Sequence, residues 1–141
     1  MDIRIYIGVS TKSPKKSQRK ICYLLSCEKD GKEETRGGKP EEVTETYHGA
    51  TVIAVSRALK RITGPCRVTI CAEDSWTMNM ITTQMPAWAK NGFRDKKEKP
   101  MHLQQEWMQI WLTSKEHEMQ TAAGPHKYST WMREKMEDGD V

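Results

Sequence analysis

The chain has 141 residues, of which 36% are hydrophobic and 30% charged, with a net charge of +4 and a pI near 8.9. That length gives one domain, 1–141, with a core of its own and an acidic, flexible tail at 137–141, and the apolar content excludes a disordered chain. No run approaches the roughly 20 apolar residues of a membrane span, and no basic-then-apolar leader opens the sequence, so a cytoplasmic monomer without membrane contact is expected.

In chain order, Ile3, Ile5 and Ile7 alternate with Arg4 and Tyr6, the two-residue period of a half-buried strand. The polar stretch Ser10 to Lys20, with Pro14 and several lysines, reads as a turn, and Ile21 to Cys27 as a central strand. Asp30-Gly31 signals a hairpin, so Lys32 to Arg36 returns antiparallel and stops at Gly37-Gly38. Thr44 to Ile62 carries apolar residues around much of a helical circumference and ends at Gly64-Pro65. Arg67 to Ala72 is the fourth strand. Ser75 to Gln84 is a helix opened by Asp74 and interrupted by Pro86. Leu103, Trp107, Ile110 and Trp111 share one face of a further helix, whose Trp stripe belongs to the core. A fifth strand near Glu118 to Thr121 and a helix from Ser129 to Met136 complete the order βββαβααβα. This is an α/β fold: a five-stranded mixed sheet, three antiparallel strands followed by parallel ones, flanked by helices.

Two features narrow the chemistry. Cys22, Cys27, Cys66 and Cys71 form no C-x-x-C pair and stand at no zinc spacing; Cys22 and Cys27 read as buried thiols. Between Trp88 and Lys99 lie five cations, Lys90, Arg94, Lys96, Lys97 and Lys99, against Asp95 and Glu98, a local positive field suited to an anionic partner. A solvated loop that serves only solubility is the plainer alternative for so short a run.

The spacing of Trp88, Asn91-Gly92-Phe93, Lys99-Pro100 and Trp107 within Cys66 to Trp107 resembles the ribonuclease H family, specifically the bacterial type I enzymes with a basic protrusion. The resemblance implies a ribonuclease-H-like fold. It also implies that Trp88, Lys90, Arg94, Lys96, Lys97 and Lys99 form a handle that grips the DNA strand of an RNA/DNA hybrid. Enzymes of this family cut the RNA strand with two metal ions about 4 Å apart, held by four carboxylates. At the matching positions this chain has Gly8, His48, Glu73 (or, with a one-residue shift, Asp74) and Met132, with Glu134 two residues on. Imidazole suits softer metals than Mg²⁺, and a glycine or methionine offers no oxygen. His126 falls in the region of the family's flexible-loop histidine.

Three readings follow. The leading one is a nucleic-acid-binding module, for RNA/DNA hybrid or another duplex, with a degenerate metal site, weak or no cleavage, and no certain cofactor. The alternative is an active hybrid endonuclease using Mg²⁺ or Mn²⁺ at Glu73 and Asp74, with His48 and Glu134 completing a rearranged catalytic set. The third is a protein-interaction role in which nucleic acid plays no part. For Glu73-Asp74 a helix-capping pair is an equal alternative, and for His48 a space-filling core residue.

Overall fold

The computed structural model describes residues 1–138. Its strands and helices are β1 Asp2–Val9, β2 Ser17–Lys29, β3 Lys32–Gly37, β4 Glu41–Glu45, α1 Tyr47–Leu59, β5 Arg67–Ala72, α2 Ser75–Thr83, α3 Met85–Lys90, α4 Gln104–Ser114, β6 Glu118–Ala123 and α5 Ser129–Asp138. Strand order is β3-β2-β1-β5-β6: β1, β2 and β3 pair antiparallel, while β5 joins β1 and β6 joins β5 in parallel. Parallel neighbours need crossovers, which α1 and the α2–α4 group supply. This is the mixed sheet with flanking helices that the hydrophobic periods imply.

Two expectations are corrected. Residues 17–20 are not a turn, and 44–45 are not helical: β2 is 13 residues long, and its first part pairs with an unforeseen β4, from Ser17↔Glu45 to Ile21↔Glu41. The sheet therefore has six strands, β4 lying beside β2 off the five-strand path. The reason is a period too short to see in sequence. In β4 only Val43 and Glu45 turn inward, and Arg19 is buried because its guanidinium donates to Thr11 O, Lys15 O and Ser17 Oγ, fastening the 10–16 loop to the strand. β3 and β4 run along the same edge of β2, broken at Gly37 and Gly38, whose φ angles of +100° and +94° favour glycine. A Cβ on Gly37 would stand 2.6 Å from Tyr23 O.

Helix α1 starts at Tyr47 because the Thr46 side chain accepts from Gly49 N at 3.0 Å, an N-cap. Pro86 sits in the first turn of α3, where a missing N–H costs nothing, so the chain restarts as a helix after α2 ends. Leu103, expected inside the tryptophan-bearing helix, instead precedes α4 with a left-handed φ of +59°.

The sheet separates two apolar layers. One face packs Ile5, Ile7, Ile21 and Ile70 under α1, α2 and α4; the other packs Tyr6, Cys22, Leu24 and Cys71 against Met132 and Met136 of α5. Trp107 is buried in the first layer, whereas Trp111 is half-buried with Lys115 Nζ 4.8 Å from its ring centre. All four thiols are free; Cys22 is buried, but Cys27, expected to be so, is half-buried because it lies near the open end of β2. Of the acidic segment 137–141, residues 137 and 138 belong to α5, and 139–141 lie outside the described residues. Among the described residues no helix is long and apolar enough to cross a membrane.

Candidate functional site

The C-terminal ends of β1 and β5, the first turn of α1 and the near side of α5 converge at one end of the sheet. Gly8, in β1, has no room for a side chain: a Cβ there would meet Met132 Cβ and Sδ at 3.0 Å and Met136 Cε at 3.2 Å. Met132 is fully buried. Gly8 and Met132, expected at two of the family's carboxylate positions, are thus packed against each other, the thioether filling the space beside the bare backbone.

Glu73 follows β5 directly, and its Oε1 lies 3.0 Å from Lys12 Nζ, in the loop after β1. Lys12 supplies the positive charge beside this carboxylate from within the chain. Nothing in the sequence singled it out, since it is one lysine of several in a polar loop. Asp74 is the N-cap of α2 and is buried. Its oxygens accept from Thr77 N at 3.0 Å, Thr77 Oγ1 at 2.6 Å and His48 Nδ1 at 2.9 Å. Those bonds hold the carboxylate in the cap and orient the imidazole, because Nδ1 must carry the proton to donate to it. His48, in the first turn of α1, is half-exposed rather than enclosed, and its ring lies 4.6 Å from that of Trp76, itself 46% exposed. Trp76 was absent from the sequence-derived candidates, being hidden in an ordinary amphipathic helix. Burial, reinforced by the charges of Asp74 and Glu73, pushes the neighbouring Tyr47 hydroxyl up to about 12.

Glu134 does not join this group. It is exposed on α5, two residues and so about 200° around the helix from buried Met132. His126 is committed to structure: Nε2 donates to Ile7 O at 2.8 Å while Nδ1 accepts from Tyr128 N at 3.1 Å, which fixes the neutral Nε2–H tautomer.

Among the described residues no three His, Cys, Asp or Glu side chains gather closely enough to hold a metal ion. The four positions expected to match the family's carboxylates offer Glu73 paired with Lys12 (or, with the one-residue shift, Asp74 taken up by its cap), the imidazole of His48, the thioether of Met132 and the hydrogen of Gly8. That donor set does not fit a pair of hard divalent cations, which need several anionic oxygens each.

The basic segment is a built element. After α3, residues Arg94 and Pro100 bridge antiparallel, and inside the turn Asp95 Oδ1 accepts from Lys97 N at 2.8 Å and Lys99 N at 3.0 Å. Gln104 reaches back to Gly92 O and Phe93 O, and Asn91 Nδ2 to Arg94 O. Buried Phe93 roots the turn, and Trp88, half-buried, meets Trp107 edge-on with ring centres 5.0 Å apart. On this frame Lys90, Arg94, Lys96, Lys97 and Lys99 are all exposed. Near its foot, Glu45 is buried beneath α1, in space that only a glycine at 49 leaves open. Burial raises the Glu45 carboxyl, but bonds from Thr46 N–H and from His102 Nε2 at 2.8 Å outweigh it and hold the group below its ordinary value.

No protein-family model matches the chain. Curated proteins similar to it are named ribonuclease H. That of Stutzerimonas stutzeri (strain A1501) is 29% identical over 88 residues, covering 62% of this chain and 56% of the relative. That of Cupriavidus necator is 29% identical over 98 residues, covering 69% and 59%. The chain thus matches little more than half the length of these relatives. Among solved structures, ribonuclease H1 of Halobacterium salinarum superposes with a TM-score of 0.66 at 10% identity over the whole of both chains. A foamy viral protease-reverse transcriptase in complex with an RNA/DNA hybrid superposes with 0.71 at 19% identity, covering 99% of this chain and 20% of that one.

Proposed function

We propose, for a chain that stands among the ribonuclease-H-like proteins by fold and by sequence similarity, that it binds nucleic acid, an RNA/DNA hybrid or another duplex, through the lysine turn, with weak or no hydrolysis. The observation that carries this reading is the turn itself: five exposed cations on a hydrogen-bonded frame braced by Trp88 and Phe93. A rigid cationic ridge binds phosphates with little ordering cost and releases counterions from the duplex, so its affinity is sequence-independent and falls steeply with salt. Phosphate contacts of this kind position a duplex without reading its bases.

The sheet end contributes differently. Lys12 neutralises Glu73, the Asp74 carboxylate is taken up by its cap and by His48, and methionine fills the space beside Gly8. A phosphodiester lying there meets the Lys12 ammonium beside a paired Glu73, and no cluster of oxygens that would gather divalent ions.

The test is a labelled RNA/DNA hybrid titrated by fluorescence anisotropy across a salt series, with the Lys96→Ala/Lys97→Ala double variant beside the parent chain. The expected result is a weaker complex at every salt concentration and a log–log salt slope reduced by about 0.9 per lost phosphate contact. Equal binding by the two proteins would remove the basis of the proposal. The same hybrid incubated with Mg²⁺ or Mn²⁺ separates binding from cutting, because metal-dependent product that Glu73→Gln abolishes would establish the endonuclease instead.

A further inference from the structure

A second cationic and aromatic array lies across the sheet from the lysine turn. Tyr6 meets Tyr128 edge-on at 4.9 Å, and Tyr128 meets Trp131 edge-on at 6.0 Å, so three rings run in series from β1 onto the flank of α5. Lys127 Nζ stands 5.6 Å from the centre of the Tyr128 ring and Lys135 Nζ 5.8 Å from that of Trp131. Trp131 is 41% exposed, less than Trp76 at 46%, and differs from it in standing in a ring series flanked by two lysines.

The exposure is not looseness. The ring of Trp131 is seated against Gly38, where a Cβ would lie 2.9 Å from its Cη2. Tyr128 is held by its hydroxyl donating to Glu33 Oε1, which also accepts from Lys127 Nζ at 3.0 Å, while Ser26 Oγ donates to Glu33 Oε2 at 2.6 Å. These bonds, Ser26 foremost, hold the Glu33 carboxyl down to about 2, and Ser26 and Tyr128 share with Lys127 the charge of that acid. Beyond Lys127 the surface opens into a trough of about 660 Å³ lined by Arg4, Arg67, Thr69 and Gln120 and also by Asp2, Glu28 and Glu33.

From this geometry we infer a second nucleic-acid surface, for a single strand, in which a base stacks on Trp131 and the phosphates on either side meet Lys135 and Lys127. A stacked base needs an exposed, immobilised π-face, and the flanking phosphates need cations within one nucleotide of it. A duplex hides its base faces, so only an unpaired strand can lay a base on Trp131. The inference does not depend on the lysine turn, and its failure is separable from failure there.

The experiment measures anisotropy of a labelled, unstructured oligo-dT or oligo-U and, separately, of an RNA/DNA hybrid, on the whole chain. Trp131→Ala is expected to weaken the single strand about tenfold and to leave the hybrid within about twofold, with Trp131→Phe retaining most of the affinity. Lys96→Ala/Lys97→Ala should do the reverse. The Lys127→Ala/Lys135→Ala double variant repeats the measurement without disturbing the ring on Gly38, and so decides the matter should the alanine at 131 fail to fold. Unchanged single-strand binding in that double variant, or loss of single strand and hybrid in parallel, would overturn the inference.

Discussion

Replacing Gly8 by alanine measures how completely the sheet end has been filled. The strand φ at Gly8 is not positive, so alanine meets no backbone penalty and should gain about 0.4–1 kcal/mol by restricting the unfolded chain. Against that gain stands a methyl placed 3.0 Å from Met132 Cβ, an atom fixed to the α5 backbone, and 3.0 Å from Met132 Sδ, which can swing away. Overpacking of this kind costs about 1–3 kcal/mol, so the midpoints of the two ranges leave a net loss of about 1.3 kcal/mol. At this chain length the loss lowers Tm by about 3 to 8 °C. Met132→Ala alone, which empties space at a fully buried side chain, should cost about 2–5 kcal/mol. Combined, the two should fall short of additivity by about 1 kcal/mol, since the new methyl occupies part of the vacated volume while the Cβ contact persists. Thermal and urea denaturation of the four proteins reads the cycle. Gly8→Ala with an unchanged Tm, or strict additivity, would refute the packing argument. Gly8→Asp is the sharper variant: a carboxylate enclosed by thioethers should destabilise well beyond the alanine, and a folded Gly8→Asp protein stabilised by Mn²⁺ would show that the space is open after all.

Further outcomes follow from the same coordinates. Asp74→Ala removes the α2 cap and the acceptor of His48 and Thr77, and should cost about 1–2 kcal/mol in urea denaturation, with Asp74→Asn recovering part of it. Glu33 titrates from an ordinary value of 4.5 in the unfolded chain to about 2 in the folded one. A depressed carboxyl stabilises the fold above the unfolded value and loses that contribution as pH falls from about 4.5 towards 2. Glu33→Gln should therefore lower stability at pH 6 and narrow its gap to the parent near pH 2.5; a gap that stays constant between those pH values would contradict the bonding described.

Where the sequence was legible, the reason was periodicity. Alternating isoleucines in β1, the Asp30-Gly31 turn and the Gly64-Pro65 stop each act locally, so five of the six strands and four of the five helices followed from neighbours in the chain, while the short α3 after Gln84 did not. β4 was hidden because five residues with two inward side chains leave too weak a pattern beside a strong helix signal. The contacts at the sheet end were hidden for a different reason. Gly8 against Met132, Lys12 against Glu73 and His48 against Asp74 each join residues far apart in sequence, and only the folded register brings them within reach. Matching positions to a family pattern can show that a carboxylate is missing; it cannot show that a methionine has moved into the vacancy or that a lysine has taken up the charge.

The two regions also differ in what they depend on. The lysine turn is rooted in Phe93, Trp88, Trp107 and its own backbone bonds, none of which touches Gly8, Glu73 or Met132. The sheet end is held by β1, β5, α1 and α5, with Glu73 paired to Lys12 and Asp74 hydrogen-bonded by His48 and Thr77. Changes at the sheet end therefore leave the frame of the lysine turn mechanically untouched, and the charge of Glu73 is met within the chain by Lys12. A four-carboxylate end without its ions would repel the very backbone the lysines attract. An end with Lys12 set against Glu73 and thioethers beside Gly8 does not, which is why the proposed nucleic-acid binding needs no divalent ions at Glu73.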